Sequence, residues 1–355
     1  MSSSSIDRID SGLIARGPGK GPKGISPSRI IITAFLIFYT LLTILPFYIL
    51  FVRTFVPTAK STELHLWIPE PDEFSLDSRL GNILVFLNMD TKVFKERFGI
   101  KGYLSPNLSF NQLAEQYDID REELKEYMQP ILQYNGWYTI LTGNQFIKSL
   151  LATVYTTAGM VVVGGFLGVA TGSVLAGFRK RWHLVAYNLY MLQMIIPPVM
   201  VMIPQFLIVR KLLLFNTYFG LILFHVKGGA LPAMIFTSYI AQIPKDLKES
   251  VEMDGGTFSQ YFFNILLPLC KVPFATFAAI LSPWFWNDLL YPLLFLKQEK
   301  YTLVPWINTF IGGEFATNYQ VIYTGLFLTI LPIVVVYFLF QKFFVKAALS
   351  GALKG

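Results

Sequence analysis

Cysteine is nearly absent from this chain: Cys270 is the only one among 355 residues. It permits neither a disulfide within the chain nor a thiolate metal cluster. Histidine is almost as scarce, and His65, His183 and His225 stand far apart with no ligand spacing. With the acids equally scattered, no cluster of the kind an acid–base active site or a metal centre needs can be assembled. Charged residues make up only 14% of the chain while 54% of it is apolar and the mean hydropathy is +0.51. That balance excludes an ordinary soluble globular protein. The opening Met-Ser-Ser-Ser-Ser lacks the short apolar core of a cleaved signal peptide, so the first apolar run is expected to stay as an anchor. A phosphate loop is missing too. Gly17-Pro-Gly-Lys-Gly-Pro-Lys-Gly24 has no Gly-Lys-Ser/Thr ending and follows no strand, so the chain is not expected to hydrolyse ATP alone.

What is present is a series of long apolar runs. A helix needs about 20 apolar residues to cross a hydrocarbon core of roughly 30 Å. Six runs qualify, near 30–52, 147–177, 184–209, 217–241, 272–296 and 320–343. Helices are favoured because a lipid-facing backbone must satisfy its own polar groups. The expected fold is therefore an all-α membrane protein of six transmembrane helices, with an enlarged extracytoplasmic loop between the first two. Basic residues set the orientation. Arg8, Arg16, Lys20, Lys23 and Arg29 precede the first run, and Arg179-Lys180-Arg181 separate the second from the third. Lys245, Lys248 and Lys271 lie between the fourth and fifth, and Lys342, Lys346 and Lys354 close the chain. All fall on one side of a six-span chain, which the positive-inside rule makes cytoplasmic, together with both termini. Arg210-Lys211 are the local exception. The net charge of +7 is accordingly a topology signal and not a nucleic-acid surface.

Residues 1–29 read as a flexible cytoplasmic tail rich in Ser, Gly, Pro and basic side chains. The span 30–52 is followed by the extracytoplasmic loop 53–146, then by a five-helix core at 147–343 and a cytoplasmic tail at 344–355. Within the loop, 109–134 has helical character: Ser109 or Asn111 can cap its start, and Leu113, Tyr117, Leu124, Tyr127, Met128 and Leu132 supply apolar faces. Asp118-Ile-Asp120 interrupts it, and Asp120 caps a second helix that Glu122 and Glu123 suit electrostatically.

One compact polar interval, 244–268, is wedged between two apolar runs. Pro244 can open a helix, and Leu247 and Val251 lie one turn apart on its face. Asp254-Gly255-Gly256 ends it, since Gly takes positive φ at little steric cost. Thr257 or Ser259 can start a second helix that must yield near Pro268. Glu249, Asp254, Gly255 and Ile265-Leu-Leu-Pro268 together resemble the Glu-Ala-Ala loop of binding-protein-dependent ABC importers, and more narrowly the sugar permeases of the maltose-transporter type. The chain departs from that pattern at Ser250 and Val251, usually two alanines, and at Gly256, often alanine.

That resemblance implies a coupling helix docked in a groove of a cytoplasmic ATPase. Glu249 and Asp254 would orient it, Gly255 would make its turn, and Leu247, Val251 and Phe258 would pack into the groove. It further implies two ATPase subunits that bind ATP and Mg, a second homologous permease forming a heterodimer, and an extracytoplasmic substrate-binding protein. This chain itself would bind no cofactor. The place would be a bacterial or archaeal cell (inner) membrane, and the cargo a carbohydrate, with oligosaccharide foremost.

Ser282-Pro-Trp-Phe-Trp-Asn-Asp-Leu-Leu-Tyr-Pro292 resembles the Trp-Asn-Asp/Glu-Phe-x-x-Pro signature of sugar permeases, through Trp286, Asn287, Asp288 and Pro292. An acid in hydrocarbon is expensive, so Asp288 must be paired, near the surface or facing water. These residues either serve a sugar or fix helix ends; His225 and Lys227 pose the same question. Pro197, Pro198 and Pro204 predict a kink or break in the third run, which places Gln193 and Pro197 with Trp286, Asn287 and Asp288 as substrate-path residues. The terminal stretch from Ala347 to Gly355 is similar to the glycine-ended tail of this permease class. The enlarged loop either touches the binding protein or partner permease, or only stabilises the outer face. Two rivals remain: an ion-gradient-driven secondary transporter, which would want more intramembrane acids, and a membrane-embedded enzyme, which would want a polar catalytic cluster.

Overall fold

The computed structural model describes residues 27–56, 63–69, 76–77, 79–80, 91–177, 181–226, 229–311 and 318–352. The basic tail before residue 27, Arg179-Lys180, Lys227 and Lys354 lie outside them. The described residues are helical apart from turns and one isolated antiparallel bridge, Arg79 to Ser109.

Helix α1 runs Pro27–Arg53. Up to Tyr48 it stands as a unit of its own, with every residue exposed. A predominantly apolar exterior over that length is what a lipid-facing helix shows. The remaining unit, from Ile49 onward, contains three hydrophobic clusters.

The first cluster belongs to the segment between the first two apolar runs. Here α2 (Thr91–Arg97), α3 (Phe110–Tyr117) and α4 (Arg121–Thr142) close around Leu80, Phe94, Phe110, Leu113, Leu124 and Met128, each 1% exposed or less. Ser109 caps α3 in a reciprocal box with Gln112. Asp118 ends α3 in the left-handed region at φ 51°, and Asp120 opens α4 by accepting from Glu122 N at 3.2 Å. The segment is thus a folded unit rather than a loop.

Helix α4 leads almost without interruption into α5 (Asn144–Gly177). Small residues on α5 let its neighbours approach closely. A Cβ at Gly164 would lie 2.4 Å from Val226 Cγ1, and one at Gly168 would lie 2.5 Å from Phe236 Cδ2. The second cluster, including Val226, Phe236 and Phe277, fills this contact. The third joins α4, α5 and the later helices through Ile140, Phe146, Trp306 and Val321.

Among the described residues, α1 and α5 are single helices long and apolar enough to cross a membrane, and there are up to four spans if two bent pairs each count as one. The run near 184–209 is broken into α6 (Arg181–Leu192) and α7 (Pro198–Lys211). Pro197 holds ψ 131° and Pro198 opens α7, the geometry proline and its predecessor impose. The next run splits into α8 (Tyr218–Val226) and α9 (Ala230–Ile240), bent by 60°. After α10 (Asp246–Met253) comes α11 (Phe258–Leu269), π-helical over Phe262–Leu266, which meets α12 (Lys271–Trp286) at 62°. Helices α13 (Leu290–Phe295) and α14 (Leu303–Asn308) precede the long α15 (Tyr319–Ala352).

Candidate functional site

Two places in this fold gather the residues singled out from the sequence. The first is the α10–turn–α11 module. Helix α10 carries Asp246 and Glu249 in its first turn, where they suit the positive end of the helix dipole. It has no buried residue at all. Lys248 and Glu252 approach to 3.4 Å along its exposed face. Asp254 follows the last helical residue, and Gly255 turns the chain at φ +75° with open space where a side chain would stand. Thr257 then caps α11 by accepting from Gln260 N, while Gln260 Oε1 accepts from Thr257 N at 2.7 Å. Helix α11 runs past Pro268 and yields only at Cys270, because the π-helical stretch absorbs the missing proline N–H.

The side chains of this module divide sharply. Leu247, Met253 and Phe258 are 39%, 87% and 55% exposed. Glu249 and Asp254 are exposed as well. Val251 is not offered in the same way: it is half-buried and packs back onto its own chain, against the second cluster and over Gly256. Met253 escaped the sequence reading because it sits outside the Leu247–Val251 spacing.

The second place is a cleft of about 910 Å³ where α6, α7, α8, α12 and α13 meet. Every one of those helices ends or starts there, so the chain breaks are what open it. Gln193 enters from the α6–α7 break, Gln205 from α7, His225 from the end of α8, and Asn287 and Asp288 from the α12–α13 break. Apolar walls come from Ile196, Val199 and Met202, and Trp284 adds an indole that is 76% exposed. A smaller cavity of about 210 Å³ shares Gln193 and His225.

Asp288 has two tasks. Its Oδ1 accepts from Leu290 N at 3.1 Å and so caps α13, while Oδ2 lies 3.2 Å from His225 Nδ1. Both side chains are nearly withdrawn from water, at 14% exposed for His225 and 13% for Asp288, so the pair meets the need of an acid in this setting for a partner. The imidazole is held edge-on between Phe285 and Tyr291, with ring centres at 5.1 and 4.5 Å. Asn287 ends α12, its Nδ2 donating to Pro283 O at 2.9 Å. Gln205 Oε1 is shut off from water with no hydrogen-bond partner.

Trp286 is not on this cleft. It is 7% exposed and turns toward α15, its Nε1 donating to Thr329 O at 3.2 Å. Two residues along a helix is about 200° of rotation, which puts Trp284 on the cleft and Trp286 in the core. Pro197 likewise sits in the break while Pro198 lines the wall. Lys227 lies outside the described residues.

Comparison with known proteins places both features inside one match. Residues 164–349, just over half of the chain, match the family described as binding-protein-dependent transport system inner membrane component. The arabinooligosaccharides transport system permease protein AraQ of Bacillus subtilis is 27% identical over 260 residues, 72% of this chain and 88% of that protein. The melibiose/raffinose/stachyose import permease protein MelC of the same organism is 28% identical over 62% of this chain and 79% of its own length. The multiple sugar-binding transport system permease protein MsmG of Streptococcus mutans is 30% identical over 57% of this chain and 74% of its own. Among solved structures, a bacterial ABC transporter involved in the import of the acidic polysaccharide alginate has a chain that superposes with a TM-score of 0.58. That chain is 19% identical, and the match covers 90% of this one and 98% of it, a likeness of fold.

Proposed function

The chain belongs to the family of binding-protein-dependent transport system inner membrane components, and from that we propose that it is a permease subunit of an ATP-driven importer of an oligosaccharide. The observation that carries the reading is the α10–α11 module, in which a polar α10 with no buried residue is anchored by an apolar α11 and Leu247, Met253 and Phe258 are held outward. Apolar side chains presented that way on a capped, rigid turn are suited to a groove on a partner protein. Here the partner is a cytoplasmic ATPase, present twice, that binds ATP and Mg. A second, homologous permease completes the pathway, and an extracytoplasmic binding protein delivers the sugar. Both termini of this chain are then cytoplasmic and the chain crosses the membrane several times.

In this reading ATP closes the ATPase pair and draws the coupling modules together. Glu249 and Asp254 set the direction of α10, Gly255 fixes the turn, and Leu247 and Phe258 make the contact. Val251 acts from inside, keeping the turn packed. Each permease then rotates as a near-rigid body between inward- and outward-facing states, because packed helices switch between discrete arrangements. The relatives' names support a sugar as cargo. An ion-gradient-driven transporter is the alternative, and among the described residues the His225–Asp288 pair is the feature that would serve it.

The test is purification of the tagged chain from native membranes in mild detergent, followed by uptake in proteoliposomes. Recovery of an ATPase with a phosphate loop and a second permease, with uptake that needs ATP, is the expected result. Gly255→Asp should abolish uptake with expression intact, since a side chain at φ +75° strains the turn by about 1–2 kcal/mol. A chain that emerges alone and transports on an ion gradient would overturn the proposal.

A further inference from the structure

We infer that this subunit itself binds part of the transported saccharide, in a subsite floored by Trp284 and walled by the His225–Asp288 pair, and that the subsite takes uncharged sugars. The inference rests on the importer reading above. Three observations converge on it. The cleft's volume, about 910 Å³, lies in the range that encloses a small-molecule ligand. Its most exposed aromatic, Trp284, lies 76% exposed on the wall, and a flat indole face matches the C–H face of a pyranose ring. The polar groups present, Gln193, Gln205 and Asn287, are amides, which can both donate to and accept from hydroxyls.

The charge pattern sets the class of sugar. Among the described residues that line the cleft there is no Lys or Arg, whereas Asp288 is an acid. Its Oδ2 and His225 Nδ1, 3.2 Å apart, are both closed off from water, so the described lining offers a uronate carboxylate no free cationic partner. The solved importer of similar fold is described as taking an acidic polysaccharide, alginate. This cleft is built for the opposite case.

The test uses the whole importer complex in proteoliposomes, carrying Cys270→Ala and a reporter, Val199→Cys, on the cleft wall. A water-soluble maleimide reads access to the reporter. Uptake is measured for arabinotriose, raffinose, stachyose and an alginate trisaccharide. The expected result is that a neutral sugar is taken up and slows labelling during turnover, while the alginate trisaccharide does neither. Trp284→Ala should raise KM about tenfold and remove the protection, as loss of one stacking contact does; Trp284→Phe should retain both. A reporter that is blocked without sugar would mean that the partner permease fills the cleft, and the subsite would fall. So would labelling indifferent to a sugar that is being transported, or uptake and protection by the alginate trisaccharide instead. If the complex contains no ATPase, the importer reading falls first, an outcome told apart by the composition of the complex.

Discussion

Two polar interruptions divide this apolar chain, residues 91–142 and residues 244–268, and they are stabilised in opposite ways. The first encloses its own core: Phe94, Phe110, Leu113, Leu124 and Met128 are fully buried between α2, α3 and α4. The second has no core of its own. Helix α10 buries nothing, α11 anchors the module to the second cluster through Tyr261, Phe262 and Leu266, and Thr257, Gly255 and the packing of Val251 on Gly256 shape the turn. A segment whose apolar side chains are already spent on one another is complete by itself. One that is rigidly capped yet leaves Leu247, Met253 and Phe258 exposed is completed by another surface. The difference separates a structural insertion from a docking element more cleanly than the density of charge, which the two segments share.

The sharpest way to break this contrast is to empty the first core. Phe110→Ala removes a side chain that is 0% exposed, a change that costs about 3–5 kcal/mol in a packed interior. Amide hydrogen exchange on the purified complex should show α2, α3 and the first half of α4 losing protection, with α10 and α11 unchanged. Loss of protection spreading evenly through α5 and α12 would mean that residues 91–142 have no independent core.

The converse change acts on the second segment. Phe258→Ala and Leu247→Ala remove exposed side chains, so thermal stability of the chain should move by no more than about 0.5 kcal/mol. Association with the ATPase should weaken by about 2 kcal/mol for each, roughly thirtyfold, as for an anchor that fills a pocket. Copurification of the ATPase from membranes carrying each variant measures this directly. Undiminished recovery with both variants would leave the module without its proposed partner.

Local chemistry was legible wherever a single side chain decides the backbone. Ser109, Asp118 and Asp120 mark the ends of α3 and α4, and Gly255 and Thr257 mark the turn between α10 and α11. The prolines at 197 and 198 announced the break after α6. What stayed hidden depends on three-dimensional packing. Hydropathy reports how apolar a run is and not where it bends, so the expected span near 217–241 is a bent pair and the one near 272–296 breaks between Trp286 and Leu290. The Trp-Asn-Asp signature drew attention to Trp286, but helical rotation gives the cleft Trp284 instead. His225 and Asp288 lie 63 positions apart in sequence, and only the meeting of two helix ends joins them. The core of the first interruption needed α2, whose short Thr91–Arg97 sequence carries a single buried residue, Phe94.

The finest test concerns Val251 and Gly256 as a pair. The resembled family pattern has alanine at both positions, and this chain has a larger residue at one and a smaller residue at the other. A Cβ at Gly256 would lie 2.5 Å from Val251 Cγ1, so the valine occupies the space that an alanine at 256 would need. Gly256→Ala alone should therefore loosen the turn by about 1–2 kcal/mol through overpacking, slightly offset by the lower freedom of the unfolded chain. Val251→Ala alone leaves a gap, and the two together should recover most of the loss, with a coupling of about 1 kcal/mol. The approach to Val251 O, at 2.9 Å, is to backbone and remains in the double variant, so recovery stops short of the native turn. Exchange of the Gly256 amide, which donates to Val251 O at 2.8 Å, measures the stability of the turn, and ATP-driven uptake measures its use. Additive losses in the double variant would mean that the two substitutions arose independently. Recovery of both readouts would show that the module keeps the shape of its turn by exchanging volume between two neighbours, while Leu247 and Phe258 remain free for the partner.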